Sequence, residues 1–258
     1  MLKVFISIGA NKMDKFTLKE TIENSGKVSL GNTKMPSTTF AISAKHCKVG
    51  SKLAKIEGST CSRCYALKIQ KLRPSVDTGW TNNLFKAEKL IASNPKLWAK
   101  QMAFQIKRGC NKLGIFHHRW FDSGDLQSVE MLHAIILCCL ETPDIKHWLP
   151  TREAKLVQIY RKRHGLEPDN LVIRVSATMI SDAPIKGHTH TSTVHKHKET
   201  VHGKECLAYR TNKDNIVVDL ETFKAMSRPD KKEQDFGHCG DCRACWSKDV
   251  ANISYPLH

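Results

Sequence analysis

No stretch of this 258-residue chain stays apolar long enough to cross a bilayer. The longest such run, Ala134–Leu140, falls far short of the roughly 20 residues a membrane helix needs. A secretion signal is missing too, because Asn11, Lys12, Asp14 and Lys15 interrupt Met1–Ala10 early. The expectation is therefore a soluble, cytoplasmic protein with no membrane partner. No glycine-rich phosphate loop, G-x-S-x-G elbow or H-E-x-x-H pair occurs, which argues against P-loop ATPases, serine hydrolases and zincin proteases. Repeats, low-complexity segments and interdomain linkers are absent as well. Residues 1–258 are thus expected to form a single α/β domain, with 206–258 as a Cys-rich C-terminal extension packed on it.

Acidic residues are few. There are 25 Asp+Glu against 41 Lys+Arg, a formal charge of +16. Such an excess favours polyanions, so nucleic acid or a nucleotide is the expected partner; a solvated basic surface is the plainer alternative. Hydrophobic residues at 40% are enough for a sizeable core.

What the chain does have is cysteine, ten in all. Without a secretion signal a disulfide framework is not expected, because the cytosol keeps thiols reduced. Cys110, Cys138 and Cys139 fall in apolar helical patterns and read as small core residues. The other seven lie among Gly, Pro, Ser, Lys and His in segments that read as loops. The sharpest signal is Cys239-x2-Cys242-x2-Cys245, followed by Trp246. Overlapping C-x2-C steps gather three thiolates around a small volume, as in the cluster-holding loops of ferredoxins. The fourth Cys of that pattern is missing, and Cys206 is the nearest replacement in sequence. A [4Fe-4S]-type cluster is favoured over zinc, whose sites more often use two separated pairs.

The second group is Cys47 with Cys61-x2-Cys64, Tyr65 following directly. Three thiolates leave one iron of a cubane cluster open to a small ligand. Radical S-adenosylmethionine enzymes use such an iron for their cofactor, with a C-x3-C-x2-C motif and an aromatic residue beside the last Cys. Here the first gap is 13 residues. The three cysteines hold a second, open cluster or lend ligands to the first.

Short apolar strands alternate with amphipathic helices. Strands are predicted at Lys3–Ile8, Thr38–Ser43, Leu113–Phe121, Lys146–Leu149, Leu171–Ser176 and Asn215–Leu220. Helices are predicted at Ser62–Leu72, Asn82–Ala92, Pro95–Arg108, Gln127–Glu141 and Glu153–Arg163. Ala177–Gly203, with five histidines from His188 to His202, reads as a long polar loop. The alternation predicts a parallel sheet covered by helices, and the length suits an incomplete β/α barrel of the TIM type. Ligand chemistry then belongs at the C-terminal strand ends. That selects Asp122-Ser123-Gly124-Asp125, Thr151-Arg152 and Ser176-Ala177-Thr178, with His117-His118-Arg119 as a further candidate. Asp122 and Asp125 suit amino or hydroxyl groups, and Gly124 allows close backbone approach. Arg152 suits a carboxylate or phosphate. For Asp125 the alternative is capping of the helix that follows.

Taken together, Ser29–Met35, His46-Cys47, Cys61-x2-Cys64-Tyr65-Ala66, Trp120–Asp125, Leu149–Arg152 and Cys239/Cys242/Cys245-Trp246 resemble the bacteriophage family known as gene product eighty-eight. Members look like relatives of the radical-S-adenosylmethionine barrel, with Ser123-Gly124-Asp125 where those enzymes carry a Gly-Gly-Glu loop. The resemblance implies that Asp125 or Asp122 meets the amino group of S-adenosylmethionine. It likewise implies that Tyr65, Ser123, Gly124 and Ser176 lie against that cofactor.

Overall fold

A computed structural model describes residues 16–32, 34–196 and 199–257; the predicted strand Lys3–Ile8 lies outside them. In chain order the elements are α1 (Leu18–Ser25), β1 (Thr38–Phe40), α2 (Lys48–Leu53), α3 (Tyr65–Leu72), α4 (Pro74–Ser93) and α5 (Pro95–Leu113). Then come β2 (His117–Trp120), α6 (Val129–Leu140), β3 (Lys146–Thr151), α7 (Ala154–His164), β4 (Leu171–Ser176) and β5 (Thr191–His195). The last are β6 (Lys204–Glu205), α8 (Leu220–Ala225), α9 (Arg228–Glu233) and β7 (Asn252–Pro256). The seven strands form one sheet in the order β1-β2-β3-β4-β5-β7-β6, and every pairing is parallel.

From β1 to β5 the neighbours follow chain order, and right-handed crossovers, the rule for parallel strands, then put the connecting helices on one face. That face holds the core. Phe40, Trp120, Leu149 and Ile173 from the strands meet Trp98, Met102, Ile106, Leu132 and Ile135 from α5 and α6. Trp98 packs on both Phe40 and Trp120. Cys110, Cys138 and Cys139 are fully buried there, as their apolar surroundings predict. The same layer encloses His118 and His147, whose rings lie 5.5 Å apart.

The opposite face is closed by the C-terminal segment. Arg174, the one charged residue of β4, is completely buried and points into it. Its guanidinium donates to the carbonyls of Ala244, Cys245, Ser247, Val250 and Ala251. A buried charge needs such a full set of acceptors, and here they hold down the loop leading to β7. Trp246 adds a bond from its indole N–H to the His118 carbonyl at 2.9 Å.

Two sequence expectations change. The polar stretch 177–203 contains β5, and Asn215–Leu220 is not a strand: Asn215 has φ 64° in a turn, and Leu220 opens α8. Helix α6 is capped by Ser128, which accepts from the Met131 N–H at 3.1 Å, so Asp125 is free of that task. No helix among the described residues is long and apolar enough to cross a membrane.

Candidate metal centres

All ten cysteines are free thiols. The seven in loops fall into two groups. Cys47 leaves the turn after β1 and precedes α2, while Cys61 and Cys64 flank the turn before α3, where the Cys64 N–H bonds the Cys61 carbonyl at 3.1 Å. That turn is fastened to the segment after β4 by Thr60 N–H to Thr178 O and by Ile180 N–H to Gly58 O, both 2.9 Å. The three thiols line one cavity of about 140 Å³, beside Tyr65, Arg119, Asp122, Ser123, Gly124, Asp125 and Arg152. Gly50 makes room for two of them: a Cβ there would sit 3.7 Å from both the Cys47 and the Cys61 sulfur and 3.1 Å from Cys47 Cβ.

The loop after β2 is tightly wound. Phe121 adopts φ 54° and Gly124 φ 84°. A side chain at Gly124 would come within 2.7 Å of the Ile42 carbonyl, so only glycine lets the loop lie against the end of β1. Both Asp125 oxygens are committed. One accepts from Thr151 Oγ1 (2.6 Å) and the Leu126 N–H (2.7 Å), the other from the Arg152 N–H (2.9 Å). Burial pushes its pKa up to about 6 against these hydrogen bonds. Asp125 thereby ties the β2 loop to the β3 loop. The uncommitted groups are different ones. Asp122 Oδ1, Ser123 Oγ and Arg119 Nε are buried against the cavity without a hydrogen-bond partner among the described residues. Tyr65 turns its hydroxyl to the Asp122 carbonyl, and Arg152 Nε donates to Thr60 Oγ1 at 3.0 Å. Ser176 is outside the cavity and accepts from Ser192 Oγ at 2.9 Å.

The second group brings Cys206, Cys239, Cys242 and Cys245 together. The Cys206 N–H bonds Ser254 O beside β7, the Cys239 N–H bonds Lys34 O ahead of β1, and Cys242 turns back onto the Cys239 carbonyl. Cys245 Sγ lies 3.3 Å from the Tyr255 hydroxyl. Each of Cys206, Cys239 and Cys245 feels the charge of others in this group, and Cys47 and Cys61 feel those of theirs.

Burial governs these thiols. It pushes Cys47 and Cys245 up to about 12 and Cys239 to about 11. Arg152 works against the rise at Cys47 and Cys61, Arg119 and Arg243 at Cys239, and Arg174 at Cys245. A nucleophilic cysteine needs its pKa lowered; burial instead holds these three as neutral thiols. Among the described residues no three His, Cys, Asp or Glu side chains stand close enough to cage a single metal ion.

Residues 10–248 match the family described as gene product 88. The chain belongs to that family. No curated protein and no solved structure matches it. The span shared with gene product 88 includes all seven loop cysteines, the wound β2 loop and Arg174, and it stops short of β7. Of the candidate stretch His117-His118-Arg119, the structure brings Arg119 to the cavity wall and buries His118 in the core. Sequence reasoning missed Arg174 as the anchor of the tail, although the signal was present: a lone Arg inside the β-branched run Leu171–Ser176.

Proposed function

We propose that this gene product 88 protein binds iron–sulfur clusters at two sites on an incomplete β/α barrel. Cys206, Cys239, Cys242 and Cys245 hold a closed [4Fe-4S] cluster, and Cys47, Cys61 and Cys64 hold an open one that faces the cavity. The carrying observation is that Cys47, Cys61 and Cys64 line one cavity together with polar groups, while Cys206, Cys239, Cys242 and Cys245 act on one another in a second group. The overlapping Cys239-x2-Cys242-x2-Cys245 spacing in the sequence supports a cluster over zinc, whose sites more often use two separated pairs.

Sheet curvature supports the barrel. In a flat sheet β2 and β7 would stand roughly 19 Å apart, four spacings of about 4.8 Å. Yet the Arg119 charge on β2 reaches Tyr255 on β7. The tail then spans the two edges, bonding Lys34 ahead of β1 and Ser254 beside β6.

A cluster at the open site supplies one-electron chemistry and an iron with a free coordination position, the arrangement that serves S-adenosylmethionine. Around that position the chain offers both halves of an amino-acid recognition site. Arg119 and Arg152 suit a carboxylate, while Asp122 Oδ1 and Ser123 Oγ, buried and unpartnered, suit an amine. Asp122, with an oxygen to spare, therefore takes the ligand role, and Asp125 positions the two loops. The charge of +16 favours an anionic substrate such as a nucleotide or nucleic acid.

Anaerobic purification tests the reading. The expected product is brown, absorbs broadly near ~400 nm, and carries several irons and sulfides per chain. A colourless protein holding only zinc overturns it. S-adenosylmethionine added to the reduced protein should then perturb the spectrum; no perturbation and no cofactor cleavage defeats the enzyme assignment and leaves a cluster-binding protein.

A further inference from the structure

The two thiol groups are joined by an unbroken line of side chains. Arg119 forms part of the wall of the three-cysteine cavity. Its guanidinium carbon stands 4.7 Å from the centre of the Trp148 ring on the neighbouring strand. Trp148 meets Trp246 edge to face at 5.4 Å, and Trp246 directly follows Cys245 in the chain. Both tryptophans are 5% exposed, while Arg119 at the cavity end of the line is half-buried. Trp246 is pinned by its bond to the His118 carbonyl on β2, the strand that also carries Arg119. Among the described residues no ion pair ties Arg119 to a carboxylate: Nη1 touches Met35 Sδ at 3.7 Å, the side chain meets Tyr65, and Nε is buried without a partner.

We propose that Arg119 and Trp148 couple the two cysteine sites into one redox unit, the guanidinium serving both sites as a shared counter-charge. The inference rests on the iron–sulfur reading above and adds to it a relation between the sites. A cluster gains one negative charge when it takes up one electron. A cation in a low-dielectric gap between two clusters favours that reduced state at each of them. Arg119 stands between the two: it lines the cavity with Cys47, Cys61 and Cys64 on one side and, through Trp148 and Trp246, meets the segment that carries Cys245 on the other. Arg119 is in these terms a positioning residue, since it tunes the sites without ligating either.

The test is a redox titration of the anaerobically isolated full chain, followed by electron paramagnetic resonance and compared with Arg119→Gln and Arg119→Lys. In Arg119→Gln, with iron and sulfide contents unchanged, both potentials are expected to fall by at least tenfold in the reduction equilibrium, about 59 mV for a one-electron couple. Arg119→Lys, which keeps the charge, should recover most of the shift. A fully loaded Arg119→Gln protein with one or both potentials unmoved overturns the proposal and leaves the iron–sulfur reading standing. A protein that never carries iron ends both. Should Arg119→Gln fail to fold, the native protein decides: on full reduction each paramagnetic signal is expected to broaden or split through its neighbour, and two independent signals refute the coupling.

Discussion

The two cysteine groups use opposite building methods. The three-cysteine site rests on strand ends and short loops bonded to one another, with Asp125 fastening the β2 loop to the β3 loop and Gly124 pressed against β1. The four-cysteine site has little regular structure beneath it and depends on a tail gripped by a single buried guanidinium. A cavity must keep its shape with or without a ligand, so its walls are crosslinked. The four-cysteine segment is held in place on the sheet by its backbone carbonyls.

The comparison is broken most forcefully at Arg174. Arg174→Met leaves several buried carbonyls without donors, and we expect a loss of about 3–5 kcal/mol in urea unfolding, the cost of removing one partner from a buried charged network. Limited proteolysis should then cut the chain within 206–251 first, while Cys47, Cys61 and Cys64 stay protected from alkylation. Equal exposure of both groups would mean that they form one cooperative unit.

Gly124→Ala attacks the other side. A methyl group cannot fit 2.7 Å from the Ile42 carbonyl, and positive φ adds strain, for an expected loss of about 1–3 kcal/mol. Iron should fall at the three-cysteine site alone, leaving the signal of the four-cysteine site intact.

Acid acts on the frame that both sites share. Burial lowers His147 from 6.5 to about 3 and His118 well below its usual value. The unfolded chain therefore takes up protons that the folded one refuses, and stability falls as pH drops from the unfolded value towards the folded one. For His147 the loss by pH 5 is about 2 kcal/mol. Asp125 works in the opposite sense: its folded pKa of about 6 is above 3.8, so its contribution rises as pH falls through that window. Thermal melts between pH 7 and pH 5 should show a shallower decline in His147→Gln than in the parent protein.

The smallest structural effect is expected from Asp122→Asn. No hydrogen bond of its Oδ1 is lost, so stability should stay within about 0.5 kcal/mol. If the carboxylate meets an amine, the spectral response to S-adenosylmethionine should vanish; an undiminished response would remove Asp122 from the site.

Much of the sheet was legible in the sequence. Leu171–Ser176 is a strand with the predicted bounds, and Pro95 opens a helix as proline at a first turn should. The second half of the sheet was not, and the reason is chemical. In β5 and β7 most of the buried side chains are polar and satisfy one another: Thr191 with Asn252, Thr193 with Ser254, His195 with Ser254. A strand buried through paired polar groups shows no apolar period, so Thr191–His195 looks like loop. Asn215–Leu220 misleads in reverse, its Ile-Val-Val run being exposed at Ile216 and Val217. At the candidate sites, spacing marks Cys239, Cys242 and Cys245 as neighbours. The line through Arg119 and Trp148 depends on strand register and on a tail fold that local spacing does not encode.

The tail also constrains when the protein can be finished. Lys34 Nζ donates to the Phe236 carbonyl across 202 residues of chain, and the amide of Cys239 reaches the carbonyl of the same lysine. Contacts of such sequence separation form late. Cys206 and Cys239 therefore reach their places only after the strand edges they bond to have formed, β7 for the one and the segment ahead of β1 for the other. On the iron–sulfur reading proposed above, filling of the four-cysteine site follows that closure of the tail over the sheet.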